Sequence, residues 1–95
     1  MEMLEDAEEL RREFLGNRQR ELPKLRVLLL EGNFPELKRL GHNMKGNGAS
    51  YGVPEFTAFG ARIEEAAAKG DTPECAQALA DIEEFLRTAI VINVP

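Results

Sequence analysis

The stretch LLLEGNFPELKRLGHNMKGNG, residues 28–48, decides the fold, because it stops one helix and starts another at adjacent residues. Gly32 is a helix stop, since glycine takes up the left-handed backbone of a C-terminal cap without a Cβ penalty. Asn33 follows as an N-cap, Pro35 falls in the first turn, and Glu36 stands where a capping box places its glutamate. A helix over about residues 34–49 is therefore predicted, with Leu37, Leu40, Gly41, Met44 and Gly48 on one face. A connection this short makes the two helices antiparallel neighbours.

The same pattern extends outward in both directions. Upstream, Leu4, Ala7, Leu10, Phe14, Arg18 (by its stem), Leu22, Leu25 and Leu29 recur at helical spacing, predicting a helix over residues 4–31. Pro23 lies inside it, so a kink there is expected, with a break near Gly16-Asn17 as the alternative. Downstream, Tyr51-Gly52-Val53-Pro54 reads as a turn. A third helix carries Val53, Phe56, Phe59, Gly60, Ile63 and Ala67 and ends at Gly70. Asp71-Thr72-Pro73-Glu74 repeats the cap-then-proline signal, and a fourth helix buries Cys75, Leu79, Ile82, Leu86 and Ala89. Only the tail, Ile90–Val94, has strand character. The expected fold is all-α: an up-down-up-down four-helix bundle forming a single domain over 1–95, with a short extra N-terminal helical turn allowed for.

Within the second helix, His42 is the one histidine of a 95-residue chain. At about 100° per residue it lies about 140° from Leu37, outside the apolar face, so its ring is expected in solvent. Lys38 and Lys45 stand at i−4 and i+3, and Gly46 at i+4, as its neighbours on the helix surface. With Arg39, three cations face the single Glu36 in this segment, although the whole chain carries a formal charge of −5. Each interior glycine costs a helix about 1 kcal/mol relative to alanine. Gly41 and Gly48 lie on the buried side, where close helix packing accounts for them, but Gly46 points outward. A bare backbone beside a cation-flanked imidazole suits a nucleophile for phosphoryl groups: a largely neutral ring keeps a lone pair, and the cations attract phosphoryl oxygens. A lone exposed histidine is ordinarily incidental, and flanking lysines are ordinarily a solvated face; the outward glycine is what shifts the balance.

Composition narrows the alternatives. At 43% hydrophobic and 31% charged, the chain has the makings of a folded soluble domain. The acidic balance argues against nucleic acid as a partner, and no apolar run reaches the ~20 residues of a membrane span. The acidic start, MEMLEDAEEL, is unlike a secretory signal, and the lone Cys75 fits a reducing compartment, so the cytoplasm is the expected location. One cysteine and one histidine are too few for a conventional zinc site, and no metal or cofactor is expected. With Cys75 placed on a buried face and no second histidine, no nucleophile–base pair of a hydrolase is visible.

These residues resemble the histidine-containing phosphotransfer (HPt) domain family. That family's signature is His-x-x-Lys-Gly with a further glycine six residues later, and His42, Lys45, Gly46 and Gly52 match it. Phe14 and Pro23, the turn Glu31-Gly32-Asn33-Phe34 and the segment Ala67-Ala68-Lys69-Gly70-Asp71 extend the likeness over about residues 8–90, leaving 91–95 as a tail. Gly41 and Met44 depart from the alanine and leucine usual at their positions. The resemblance implies a phosphocarrier of two-component phosphorelays with no kinase or ATPase activity of its own. It would accept a phosphoryl group on Nε2 of His42 from the aspartyl phosphate of a response-regulator receiver domain, or from a histidine kinase, and pass it to another receiver aspartate. It further implies that Lys45 steadies the phosphoryl oxygens, that Gly46 admits the partner, and that Mg²⁺ belongs to the receiver. Lys38 and Arg39 join the expected site by helix geometry alone, Gly52 as its turn. A monomer is expected. The rival readings are a docking module of the same fold without turnover, and a structural or dimerising helical bundle.

Overall fold

Gly32 and Gly70 adopt left-handed backbone, with φ of 67° and 65°, and each closes a helix by the same pair of hydrogen bonds. At the first, Gly32 N–H donates to the Leu29 carbonyl (3.0 Å) and Asn33 N–H to that of Leu28 (2.9 Å). At the second, Gly70 N–H donates to Ala67 (3.1 Å) and Asp71 N–H to Ala66 (2.9 Å). Both are Schellman caps, which satisfy carbonyls that a helix end otherwise leaves unpaired. Directly after each stop a side chain starts the next helix: Asn33 Oδ1 accepts from Glu36 N–H (3.3 Å), and Asp71 Oδ1 from Glu74 N–H (3.1 Å). The reciprocal half of the expected capping box does not form at Asn33. Its N–H is already committed to Leu28, and the Glu36 carboxylate turns to Arg39 instead.

The computed structural model describes residues 2–92, with side chains described for residues 7–89. Four helices follow in order: α1 (Glu2–Leu30), α2 (Phe34–Gly48), α3 (Glu55–Ala68) and α4 (Thr72–Ile92), with one 3-10 turn (Ala49–Tyr51) between α2 and α3. They close a four-helix bundle in which α2 packs most intimately on α3, while α4 joins α3 to α1. The 29 residues of α1 rise about 43 Å at ~1.5 Å each, which accounts for the bundle's 45 Å long axis.

Three expectations need correction. First, only the alternative of a break at Gly16-Asn17 falls away, and one α-helix carries through Pro23 as the predicted span of 4–31 has it. A proline inside a helix costs about 3 kcal/mol; on its two sides Leu22 and Leu25 are buried in the core, at about 1.5–3 kcal/mol each, which offsets it. The allowed-for extra N-terminal turn is likewise not separate, because α1 is continuous from Glu2. Second, the buried stripe of α1 is Phe14, Leu15, Leu22, Leu25 and Leu28; Leu29 is half-buried, and Ala7 and Leu10 are exposed. The side chain of Leu4 lies outside the described residues. The α2–α3 pair ends at its connecting turn, level with Phe14, whose ring stacks on Tyr51 at 5.1 Å. Leu10, a turn further out, has less to pack against. Third, α4 remains helical to Ile92, so residues 90–92 are not strand, and residues 93–95 lie outside the described residues.

The remaining stripes agree with the spacing. Val53, Phe56, Ile63, Ala66 and Ala67 are buried in and before α3, and Cys75, Ala78, Leu79, Ile82, Leu86 and Ala89 along α4. Phe56, with no exposed surface, is the hub: Phe14, Phe59 and Phe85 meet it edge-to-face at 5.3, 5.3 and 5.7 Å. Among the described residues no polar or charged side chain belongs to the core.

Candidate functional site

The site begins with three glycines that let α2 and α3 touch backbone to backbone. A Cβ on Gly41 would lie 2.8 Å from the backbone nitrogen of Glu64, and one on Gly48 2.8 Å from that of Thr57. A Cβ on Gly60 would collide with the Lys45 nitrogen and the Gly41 carbonyl oxygen. No side chain of any kind fits between these helices at those points. Gly46 differs: a Cβ there meets nothing within 4 Å, so no internal contact requires its bareness. It leaves open space at the surface, one turn from the ring. Gly52 is the left-handed cap of the 3-10 turn (φ 77°), donating from its N–H to the Ala49 carbonyl at 3.1 Å. Its part is to shape the turn that ends the site.

His42 stands on the outer surface of α2 with its side chain 66% exposed, as the helical spacing predicts. The close approach of α3 brings Glu64 beside it. The Nδ1 of His42 lies 3.0 Å from Glu64 Oε2, and the Nζ of Lys45 lies 3.0 Å from Glu64 Oε1. One carboxylate, itself only 22% exposed, thus ties the ring and the lysine together. Hydrogen bonds from Lys45 first, and from His42 second, hold the Glu64 carboxyl below the usual carboxylate range. With Nδ1 so engaged, the opposite ring nitrogen is the one free to react.

The other expected cations are placed differently. Lys38 is exposed and makes no ion pair among the described residues. The guanidinium of Arg39 is committed to Glu36, one turn toward the start of α2, and that pairing raises its pKa and lowers that of Glu36. Arg39 is therefore a link in the first turns of α2, and the cation held at the ring is Lys45. Cys75 is buried, and burial pushes its thiol above the usual range, which leaves it a core residue and no nucleophile. Among the described residues, no group of three metal-ligating side chains converges, and no helix is long and apolar enough to cross a membrane.

Against known families, the model of the Hpt domain matches residues 9–90. The chain belongs to the Hpt domain family. No curated protein and no solved structure matches it significantly. Hpt domains are helical bundles, as found here, and the family's role is phosphotransfer within phosphorelays, as a carrier that meets receiver domains or kinases and not as an enzyme in the strict sense.

Sequence reading overlooked Glu64 in this Hpt domain. One signal was present: Glu64 follows Ile63 and stands four residues after Gly60, so it borders the buried face on the side of the small residue. Spacing along α3 places it at that border; only the rotation of α3 against α2 chooses its partners.

Proposed function

We propose that this Hpt domain is a monomeric, cytoplasmic phosphocarrier that accepts a phosphoryl group on His42 and hands it to the aspartate of a receiver domain. The observation that carries the proposal is an exposed imidazole, bonded through Nδ1 to Glu64 with Lys45 alongside, on a helix left bare at Gly46. The lone pair on Nε2 attacks the phosphorus of a receiver's aspartyl phosphate, and the P–O bond to the aspartate breaks. Lys45 and, at longer range, Lys38 favour the oxygens of the arriving group. Gly46 gives the partner's loops room to approach. The Mg²⁺ that such chemistry uses sits with the receiver. A histidine kinase is the alternative donor.

Incubation with a panel of phosphorylated receiver domains tests this directly. The wild-type protein gains a stoichiometric phosphate that is labile in acid and stable in base, and His42→Gln gains none. If no receiver transfers to the wild type, the carrier reading falls and docking without turnover takes its place.

A further inference from the structure

We infer that the cleft between the start of α2 and the end of α3 is where this domain selects its receiver, seating an apolar side chain of the receiver's docking face and pairing a neighbouring carboxylate with Lys38. The inference deepens the carrier reading, from which it takes the class of partner, and adds a contact that lies away from the reacting ring. The cleft is open and holds about 500 Å³. Phe34, Pro35, Ala67 and Ala68 supply its apolar wall, and Lys38 and Lys69 its charge. No carboxylate lines it. By contrast, Glu83 lines the cleft between α1 and α4, Glu8 the one beside Tyr51, and Glu65 and Glu74 the one beside Arg62. A carboxylate-free cleft in a chain of formal charge −5 is suited to an acidic visitor.

Position on the helix makes this cleft part of any interface centred on His42. Pro35 and Lys38 precede the histidine by seven and four residues, so they share its face of α2. Pro35 is about 10 Å away along the axis at ~1.5 Å per residue. A transient interface covers roughly 600 Å² on each partner, a disc about 14 Å in radius. A receiver whose aspartate reaches the ring therefore also covers the cleft, and one of its side chains must fill it or leave a void. Charge decides what enters. Of the three cations of α2, Arg39 is held by Glu36 and Lys45 by Glu64, while Lys38 makes no ion pair among the described residues. Lys69 pairs with Glu65, one turn back, at 3.0 Å. Lys38 thus carries the uncompensated charge of the cleft. A receiver with a carboxylate there gains an ion pair, and one with a basic group meets repulsion, which is how a surface discriminates among similar partners.

Proton–nitrogen NMR of the backbone amides, recorded as a receiver is added, maps the contact whether or not phosphate moves. The amides of Phe34, Lys38 and Ala68 shift together with those around His42, and raising the domain's own concentration shifts none of them. In single-turnover transfer, Ala68→Gln, which fills the cleft, and Lys38→Glu each raise the half-saturating receiver concentration roughly tenfold, more than either lowers the saturating rate. That concentration rises with salt for the wild type and responds less for Lys38→Glu. Reversing the receiver's surface carboxylates outside its metal site, one at a time, yields a lysine variant that restores Lys38→Glu and impairs the wild type. Lys38 and Ala68 are exposed, so thermal melts of both variants stay close to wild type. Shifts around His42 that spare Phe34, Lys38 and Ala68 overturn the inference and leave the carrier reading standing. So does a Lys38→Glu variant with wild-type half-saturation, or a cleft that a second copy of the domain fills without any receiver. A receiver that shifts the cleft amides but labels nothing supports the docking inference and overturns the carrier reading. If no receiver binds, both fall.

Discussion

Lys45 and Gly46 are adjacent in sequence and serve opposite ends of the same task, one by its charge and one by having no side chain. Lys45 is part-exposed and, among the described residues, its one ion pair is to Glu64, so removing it leaves the core untouched. Lys45→Ala is expected to melt within about 0.5 kcal/mol of wild type yet to take up phosphate several-fold more slowly in a single-turnover assay. Gly46→Gln is expected to do the reverse. A side chain with nothing within 4 Å of its Cβ fits without strain, and a helix gains roughly 0.5–1 kcal/mol when glycine is replaced by a straight-chain residue. The variant should therefore be slightly more stable by urea titration while losing transfer to steric block. Transfer at the wild-type rate would show that the bare backbone has no part in docking. Among the expected site residues, His42, Lys45 and Gly46 stand together, and Gly52 shapes the turn. Arg39 was placed at the ring by wheel geometry but is held by Glu36, because an i,i+3 carboxylate on the same helix is nearer than the ring's neighbourhood.

At the scale of the helices, the α2–α3 contact decides whether a site exists at all. Gly41, Gly48 and Gly60 let the two backbones approach until Glu64 reaches across to α2. Gly60→Ala forces a methyl group into the Lys45 nitrogen and the Gly41 carbonyl oxygen, both backbone atoms that cannot step aside. The expected cost is about 1–3 kcal/mol, read as a lower urea midpoint. Along with it the hydrogen bond from His42 to Glu64 should weaken, visible as a shift of the Nδ1 resonance. A variant with native stability and an unmoved resonance would mean that the helices can part without disturbing the ring. The spacing of apolar residues placed Gly41, Gly48 and Gly60 on buried faces, and so foretold close packing. It did not foretell which turn of α3 meets which turn of α2, since that register depends on how the four stripes interlock.

Across the whole molecule, the site on α2 and α3 is steadied from the far side by ion pairs to α4. Arg62 of α3 donates to Asp81 at 2.9 Å and to Glu74 at 3.3 Å. Hydrogen bonds from Arg62 first, then Gln77, hold the Asp81 carboxyl below the usual aspartate range. A carboxyl whose folded pKa is lowered contributes stability above its unfolded value, and loses it as the pH falls through the folded one. The wild type should thus melt above Asp81→Asn at neutral pH, and the two should converge once the pH is well below the ordinary aspartate range. A gap that persists undiminished in acid would point to packing and not charge. Arg26 and Glu83 join α1 to α4 in the same manner at 3.0 Å, so the long helices are tied to each other as well as to the α2–α3 pair.

The helices, their stops at Gly32 and Gly70, their caps at Asn33 and Asp71 and the outward direction of His42 were all determined by local sequence. Each depends on backbone dihedrals or helical spacing within one segment, which neighbouring residues alone dictate. The choice at Pro23 between passage and a break at Gly16-Asn17, the helical course of α4 past Ala89 and above all the reach of Glu64 to His42 were decided only in the folded bundle. These outcomes turn on distances between groups up to 22 residues apart in the chain, or on burial that offsets a local penalty. A periodicity says which face of a helix is buried; only the packed neighbour determines what that face, and the side chain at its border, will touch.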